Sequence, residues 1–207
     1  MTNEPRWGLV RQDTVRCAVF CDESVCLGFK REYQLVHTQL GTVTELFPVG
    51  RDGIPVAVVL PTKEILLTQD NIGIFIGFNG SPTRKYGLTW PEAPTMLALS
   101  YPYVLAANSK HLDTRTIASQ KQADQTAQLR GVQCLVVESR TSGGGTSGSV
   151  FVSSSGQSGK SQLHLLRPTP IMQQIDTLMD DGLFTEARQH PMAPISAANL
   201  PHLPLPL

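Results

Sequence analysis

Between Val15 and Arg167 the chain is built of short apolar or alternating runs of four to seven residues, each broken by Gly, Pro, Asn, Asp or Ser. Runs this short cannot supply the stripe of a helix but match a strand, in which side chains alternate between faces. Val15–Cys21, Ser24–Lys30, Tyr33–Thr38 and Val43–Phe47 are predicted as successive strands. Pro55–Leu60, Glu64–Gln69 and Ile72–Phe78 follow, and Asn79-Gly80 then gives a strong turn signal. Met96–Leu99, Tyr103–Ala107 and His111–Ile117 repeat the arrangement, as do Val132–Glu138, Ser149–Ser153 and Gln162–Leu166.

Spacing sharpens the prediction. Comparable runs begin at Val25, Ile65, Val104 and Val150, at intervals of 40, 39 and 46 residues. Self-similarity near that period, with about four strands per unit, is the signature of a β-propeller blade. One blade cannot bury both of its faces, so the units must stack side by side. Four units fit between residues 15 and 168, the low end for a closed ring; the chain therefore supplies either a small ring or part of a larger one. The expected fold is all-β, a partial WD40-like propeller of about four blades, with residues 1–14 as an N-terminal tail.

After Arg167 the pattern changes. Pro168-Thr169-Pro170 stops the last strand, with Thr169 as a helix N-cap and Pro170 in the first turn. Ile171, Ile175, Leu178 and Met179 then share one helical face, so residues 169–189 are expected to begin a helical region. Five prolines between His190 and Leu207 predict an extended, disordered tail over residues 190–207. Two Gly/Ser-rich segments, Thr141–Ser149 and Ser153–Ser161, are expected to be loop connections.

Composition excludes several functions. Seventeen basic residues balance 17 acidic ones, so there is no electrostatic footprint for nucleic acid. Charged residues are only 16% and hydrophobic ones 41%, enough for a sizeable core. No apolar run approaches the roughly 18 residues of a membrane span, and no secretory leader is recognisable at the N-terminus. Cys17, Cys21 and Cys26 are spaced by three and four residues, but zinc needs a second such pair or paired histidines opposite them, and Cys134 is distant and the histidines are dispersed. They are expected to be reduced cysteines acting as small core residues.

Three motifs suggest chemistry and are set aside. Gly156–Ser161 approaches a phosphate-binding loop, but Ser154 stands where the pattern needs glycine, and a strand instead of a helix is expected after Lys160. Ser147, within Gly145-Thr146-Ser147-Gly148, lacks the rigid turn that a nucleophile needs. His37, or His111 with Asp113, could complete such a site on paper; residues 111 and 113 share one side of a strand, expected to be a solvent face. Trp90 is expected in the core, Trp7 could anchor an interaction, and Lys30-Arg31 and Arg84-Lys85 are expected at solvated edges. No catalytic, cofactor-binding or metal-binding residue is assigned.

Several segments, taken in order, resemble a known family. Cys26–Phe47, Leu60–Leu67, Asn71–Ile76, Leu88–Trp90 and Ser100–Ala106 are similar to the citron homology (CNH) domain of vacuolar-sorting tethering subunits, and Ile171–Ala187 resembles the first helix of the α-solenoid that follows it. The likeness covers about four-fifths of the chain and is nearest to the branch associated with transforming growth factor-β receptors. It implies a non-catalytic subunit of an endosomal tethering complex of the CORVET or HOPS kind, without a cofactor. The implied partners are a small Rab-type GTPase, other tethering subunits and the TGF-β receptor, with peripheral attachment to endosomal membranes from the cytoplasm. Family members carry about seven blades and a long solenoid, and the Pro-rich end has no counterpart in them, so this chain is expected to be a fragment. The competing expectations are a receptor-bound signalling scaffold that touches no membrane, and a nucleotide hydrolase using Lys160.

Overall fold

The computed structural model describes residues 13–51, 53–117, 125–138, 149–155, 161–167 and 169–180. Within residues 13–166 four antiparallel sheets follow one another along the chain, each built from consecutive strands. Sheet one holds β1 (Cys17–Cys21), β2 (Ser24–Gly28), β3 (Glu32–His37) and β4 (Val43–Pro48). Sheet two holds β5 (Ala57–Leu60), β6 (Glu64–Gln69), β7 (Ile72–Gly77) and β8 (Leu88–Thr89). Sheet three holds β9 (Met96–Ser100), β10 (Tyr103–Ala107), β11 (Leu112–Thr116) and β12 (Gln125–Ala127). Sheet four has three described strands, β13 (Val132–Val137), β14 (Val150–Ser155) and β15 (Ser161–Leu166).

The first strand of each sheet lies against the first strand of the next: β1 on β5, β5 on β9 and β9 on β13. These four are therefore the inner strands, and the sheets succeed one another as blades do. Tight reversals make each meander possible. Asp22, Lys63 and Asp70 adopt left-handed backbone in the hairpins β1–β2, β5–β6 and β6–β7, with φ between 50° and 58°. The turn expected at Asn79-Gly80 is present, with Gly80 at φ 84° and the Asn79 carboxamide oxygen accepting the Ser81 N–H.

Between neighbouring blades the alternation of each strand feeds a shared core. Cys21, Cys26, Tyr33 and Leu35 of sheet one pack with Ile65, Leu67 and Ile76 of sheet two. The opposite face of sheet two supplies Leu60, Leu66, Phe75 and Trp90, which meet Val104, Ala106 and Ile117 of sheet three. Sheet three turns Leu105, Ala107 and Leu112 toward Val150 and Val152 of sheet four. Trp90 is 1% exposed, as expected of a core residue, and lies across β7 where a Cβ on Gly73 would come within 2.7 Å of its ring.

Several expectations are corrected. The fourth unit shows no fourth strand among the described residues; the chain meets Pro168 and Pro170, which cannot donate to a ladder. Ser153–Ser155 belong to strand β14, not to the connection after it. Cys134 is exposed, whereas Cys21 and Cys26 are buried, so only part of the cysteine set packs in the core. Ile171–Asp180 is drawn as helix α1. Residues 181–207, which contain the expected continuation of the helical region and the Pro-rich tail, lie outside the described residues, as does Trp7. No helix among the described residues is long and apolar enough to cross a membrane.

Candidate interaction surfaces

The histidines that looked most like chemistry are taken up by bonds within their own blades. His111 Nε2 is 3.1 Å from Asp113 Oδ2, and Asp113 is 2% exposed, so the pair faces the interior and not solvent. The reason lies in the hairpin: the Asn108 carboxamide oxygen accepts the backbone N–H groups of Lys110 and His111, turning the ring inward. The Asn108 Nδ2 lies 2.9 Å from the same imidazole nitrogen. The nearby hydroxyl, on Thr126, donates to Asp113 Oδ1 at 2.6 Å and not to the histidine. A nucleophilic triad needs the hydroxyl on the imidazole, so this cluster ties β10, β11 and β12 and does not attack a substrate.

His37 is equally committed. Its Nδ1 accepts the backbone N–H groups of Gln39 and Leu40, closing the β3–β4 turn. Ser147 and Lys160 lie outside the described residues, but Ser161–Leu166 is strand β15, so the residues after Lys160 do not open the helix that a phosphate-binding loop requires. Among the described residues no group of three or more His, Cys, Asp or Glu side chains could hold a metal ion.

Arg84 corrects the expectation of a solvated edge. Its Nη2 donates to Glu64 Oε2 at 2.5 Å and its Nε to Glu64 Oε1 at 3.0 Å, while its Nη1 reaches the Ile117 carbonyl of sheet three. The guanidinium carbon also sits 3.9 Å above the Phe75 ring. With hydroxyls of Thr62 and Thr83 donating as well, the Glu64 carboxyl is held down at about 2, chiefly by Arg84 and against the opposing effect of burial. Lys30, Arg31 and Lys85 do stand at exposed positions. Between sheets one and two Tyr33 plays the matching part. Its hydroxyl accepts the Val56 N–H at 2.9 Å and donates to the Thr68 carbonyl at 2.9 Å, and burial pushes the phenol up to about 12.

Among the described residues, exposed large apolar side chains gather on the outer faces of sheets one and four, with others scattered singly at Leu40, Ile54 and Ile72. We call the face that each blade turns to its successor its forward face and the other its backward face. The forward face of sheet four carries Val136, Phe151, Leu163 and Leu165, which are 52%, 37%, 72% and 43% exposed. The backward face of sheet one carries Phe20 at 76% and Val43 at 42%, beside Ala18, Val25, Leu27 and Val36, but also the exposed Glu45 opposite the buried Gln34. Exposed apolar surface that is contiguous across several strands marks an interaction site far more often than scattered single residues do.

Comparison with known proteins now decides the family. Residues 6–138 match the CNH domain. The chain belongs to the CNH domain family. Among curated relatives, vacuolar sorting protein 39 of Arabidopsis thaliana is 34% identical over 84% of this chain. A transforming growth factor-β receptor-associated protein 1 homolog of Danio rerio is 26% identical over 83%. Both the vacuolar-sorting and the receptor-associated relatives implied by the motifs are thus among the proteins that this chain resembles over most of its length. The chain spans only 16% and 18% of those two relatives. Among solved structures, the AfRom2 CNH domain superposes with a TM-score of 0.60 at 17% identity, covering 76% of this chain and 52% of that domain. That likeness concerns the fold: the CNH blades of this chain correspond to about half of a solved CNH domain.

Proposed function

We propose that this CNH segment is a non-catalytic interaction module of an endosomal or vacuolar vesicle-tethering subunit of the CORVET or HOPS kind. In this reading it engages a small Rab-type GTPase and neighbouring tethering subunits, on the cytoplasmic side of endosomal membranes as a peripheral protein. The observation that carries the reading is the similarity to vacuolar sorting protein 39 across most of this chain. The site geometry supports it, because the polar clusters at Glu64–Arg84 and His111–Asp113 are internal to the blades, while exposed apolar side chains gather on sheets one and four. A platform of this kind works through surface and shape, which is the common use of blades without reacting groups.

Affinity capture of the full chain from endosome-rich extracts, followed by identification of the retained proteins, tests the proposal. Enrichment of tethering subunits is expected, and recovery of none of them above a control would contradict it. The receptor-scaffold reading is favoured by the similarity to the receptor-associated homolog; it requires receptor tails to be retained when tethering subunits are not. Nucleotide hydrolysis through Lys160 is checked with Lys160→Ala, which is expected to leave any hydrolysis measured for the chain unchanged.

A further inference from the structure

We infer that Ser81 is a phosphorylation site for a proline-directed serine/threonine kinase, and that the ion pair between Arg84 and Glu64 gates it. Ser81-Pro82-Thr83-Arg84 places a proline directly after a hydroxyl and an arginine three residues after it. That spacing has a physical meaning. Proline has no N–H, so it suits a kinase cleft that offers no acceptor at that position and is rejected by one that does. It also keeps the residue before it extended, the form in which a chain lies across such a cleft. The arginine then supplies a fork of donors for an anionic group on the kinase.

The fold presents the acceptor and withholds the arginine. Ser81, Pro82 and Thr83 are exposed in the connection between β7 and β8. Ser81 is held through its backbone: its N–H donates to the Asn79 carboxamide oxygen at 3.0 Å, and its carbonyl accepts the Gly77 N–H at 2.8 Å. Among the described residues its hydroxyl has no partner. Arg84 is only 16% exposed at its side chain, with Glu64 taking two of its nitrogens and the Ile117 carbonyl the third. Thr83 ties down the same stretch, its hydroxyl on Glu64 and its N–H on the Phe75 carbonyl at 3.0 Å. A kinase therefore meets Ser81 and Pro82 on the closed fold, and gains Arg84 only when the connection lifts from Glu64 and from sheet three. Phosphorylation is slow while that junction is seated and faster when it loosens.

The step is transfer of the γ-phosphoryl group of MgATP. A bond forms from Ser81 Oγ to phosphorus, the bond from phosphorus to the leaving ADP breaks, and the hydroxyl proton passes to the catalytic aspartate of the kinase. The product adds about two negative charges to a connection whose charged side chains are Arg84 and Lys85.

The test incubates the full chain and MgATP with a purified proline-directed kinase that selects a basic residue three positions after its acceptor. Phosphopeptide mass spectrometry then locates and counts the phosphate. Phosphate is expected on Ser81, and Pro82→Ala is expected to lower kcat/KM there by about tenfold or more. Glu64→Gln leaves the acceptor sequence untouched but frees Arg84, and is expected to raise the rate at Ser81 by about fivefold or more. Tyr33→Phe, which weakens the junction between sheets one and two, is expected to leave the rate as it is in the wild type. Circular dichroism at the assay temperature checks that each variant is folded. Absence of phosphate from Ser81 in both the wild type and Glu64→Gln, or a rate indifferent to Pro82→Ala, would overturn the site. Equal rates for the wild type and Glu64→Gln, or an equal gain in Tyr33→Phe, would overturn the gate.

Discussion

Arg84 and Glu64 form a two-point ion pair, 2.5 and 3.0 Å long, from which the guanidinium reaches on to the Ile117 carbonyl of the next blade. One side chain in the β7–β8 connection thus links the first residue of β6 to the end of sheet three. The blades do not rest on apolar contact alone, for which many relative rotations would serve almost equally. Directional bonds at Tyr33 and at Arg84 fix how sheet two sits between sheets one and three.

Removing one partner of such a pair strands the other. Glu64 and Arg84 are 10% and 16% exposed at their side chains. Arg84→Ala is expected to cost about 3 kcal/mol of unfolding free energy. Arg84→Met, which keeps much of the packing over Phe75, is expected to cost nearly as much, since the buried carboxylate is still unpaired. Urea denaturation of both variants checks this, and a loss below about 1 kcal/mol, the range of an exposed pair, would contradict it.

The same pair makes stability depend on acid. The Glu64 carboxyl lies at about 2 in the folded chain against an ordinary value of 4.5. A depressed carboxyl contributes stability above its unfolded value and loses it as the pH falls toward the folded one. The contribution is about 3 kcal/mol, lost between about pH 4.5 and 2. Melting curves across that window are expected to fall more steeply for the wild type than for Glu64→Gln, which is less stable at pH 7 and has no carboxyl there to titrate.

Tyr33 tests the other junction. Phenylalanine keeps the ring, which packs 5.5 Å from that of Phe47, but leaves the buried Val56 N–H without its acceptor. Tyr33→Phe is expected to destabilise by about 1–3 kcal/mol, a drop of several degrees in Tm for a chain of this size. Unchanged melting would show that the hydroxyl does not hold sheets one and two together.

The thiols divide by position. Burial pushes Cys17 and Cys21 up to about 11 and Cys26 up to about 12. None of the three supplies thiolate near neutral pH, and the thiolate is the reacting form. Maleimide is expected to label Cys134 in the native chain and the other three only after unfolding, counted by mass spectrometry. Rapid native labelling at Cys26 would mean that the junction between sheets one and two opens.

The strands were legible because their signal is local. Glu64–Gln69 and Tyr103–Ala107 fall at their predicted limits, as alternation and turn residues are read within a few positions. β8 and β12, two and three residues long, leave too little pattern; Leu88-Thr89 lies within a segment of the family resemblance, but Gln125–Ala127 has no apolar residue beyond one alanine. The polar clusters were misjudged for a different reason. Arg84 stands 20 residues from Glu64 and 33 from Ile117, so nothing near it in sequence announces a buried partner. His111 and Asp113 were placed on one side of their strand, but which side faces the next blade is decided by sheet two, and alternation alone cannot choose it.

The proposed tethering role requires that these blades offer surface to a small GTPase. Titration calorimetry of the full chain against a panel of endosomal Rab-type GTPases, each loaded with GDP or with a non-hydrolysable GTP analogue, addresses it most directly. At least one GTPase is expected to bind at least about tenfold more tightly in its GTP form, a difference of about 1.4 kcal/mol. Equal affinity for the two forms, or no binding across the panel, would contradict it.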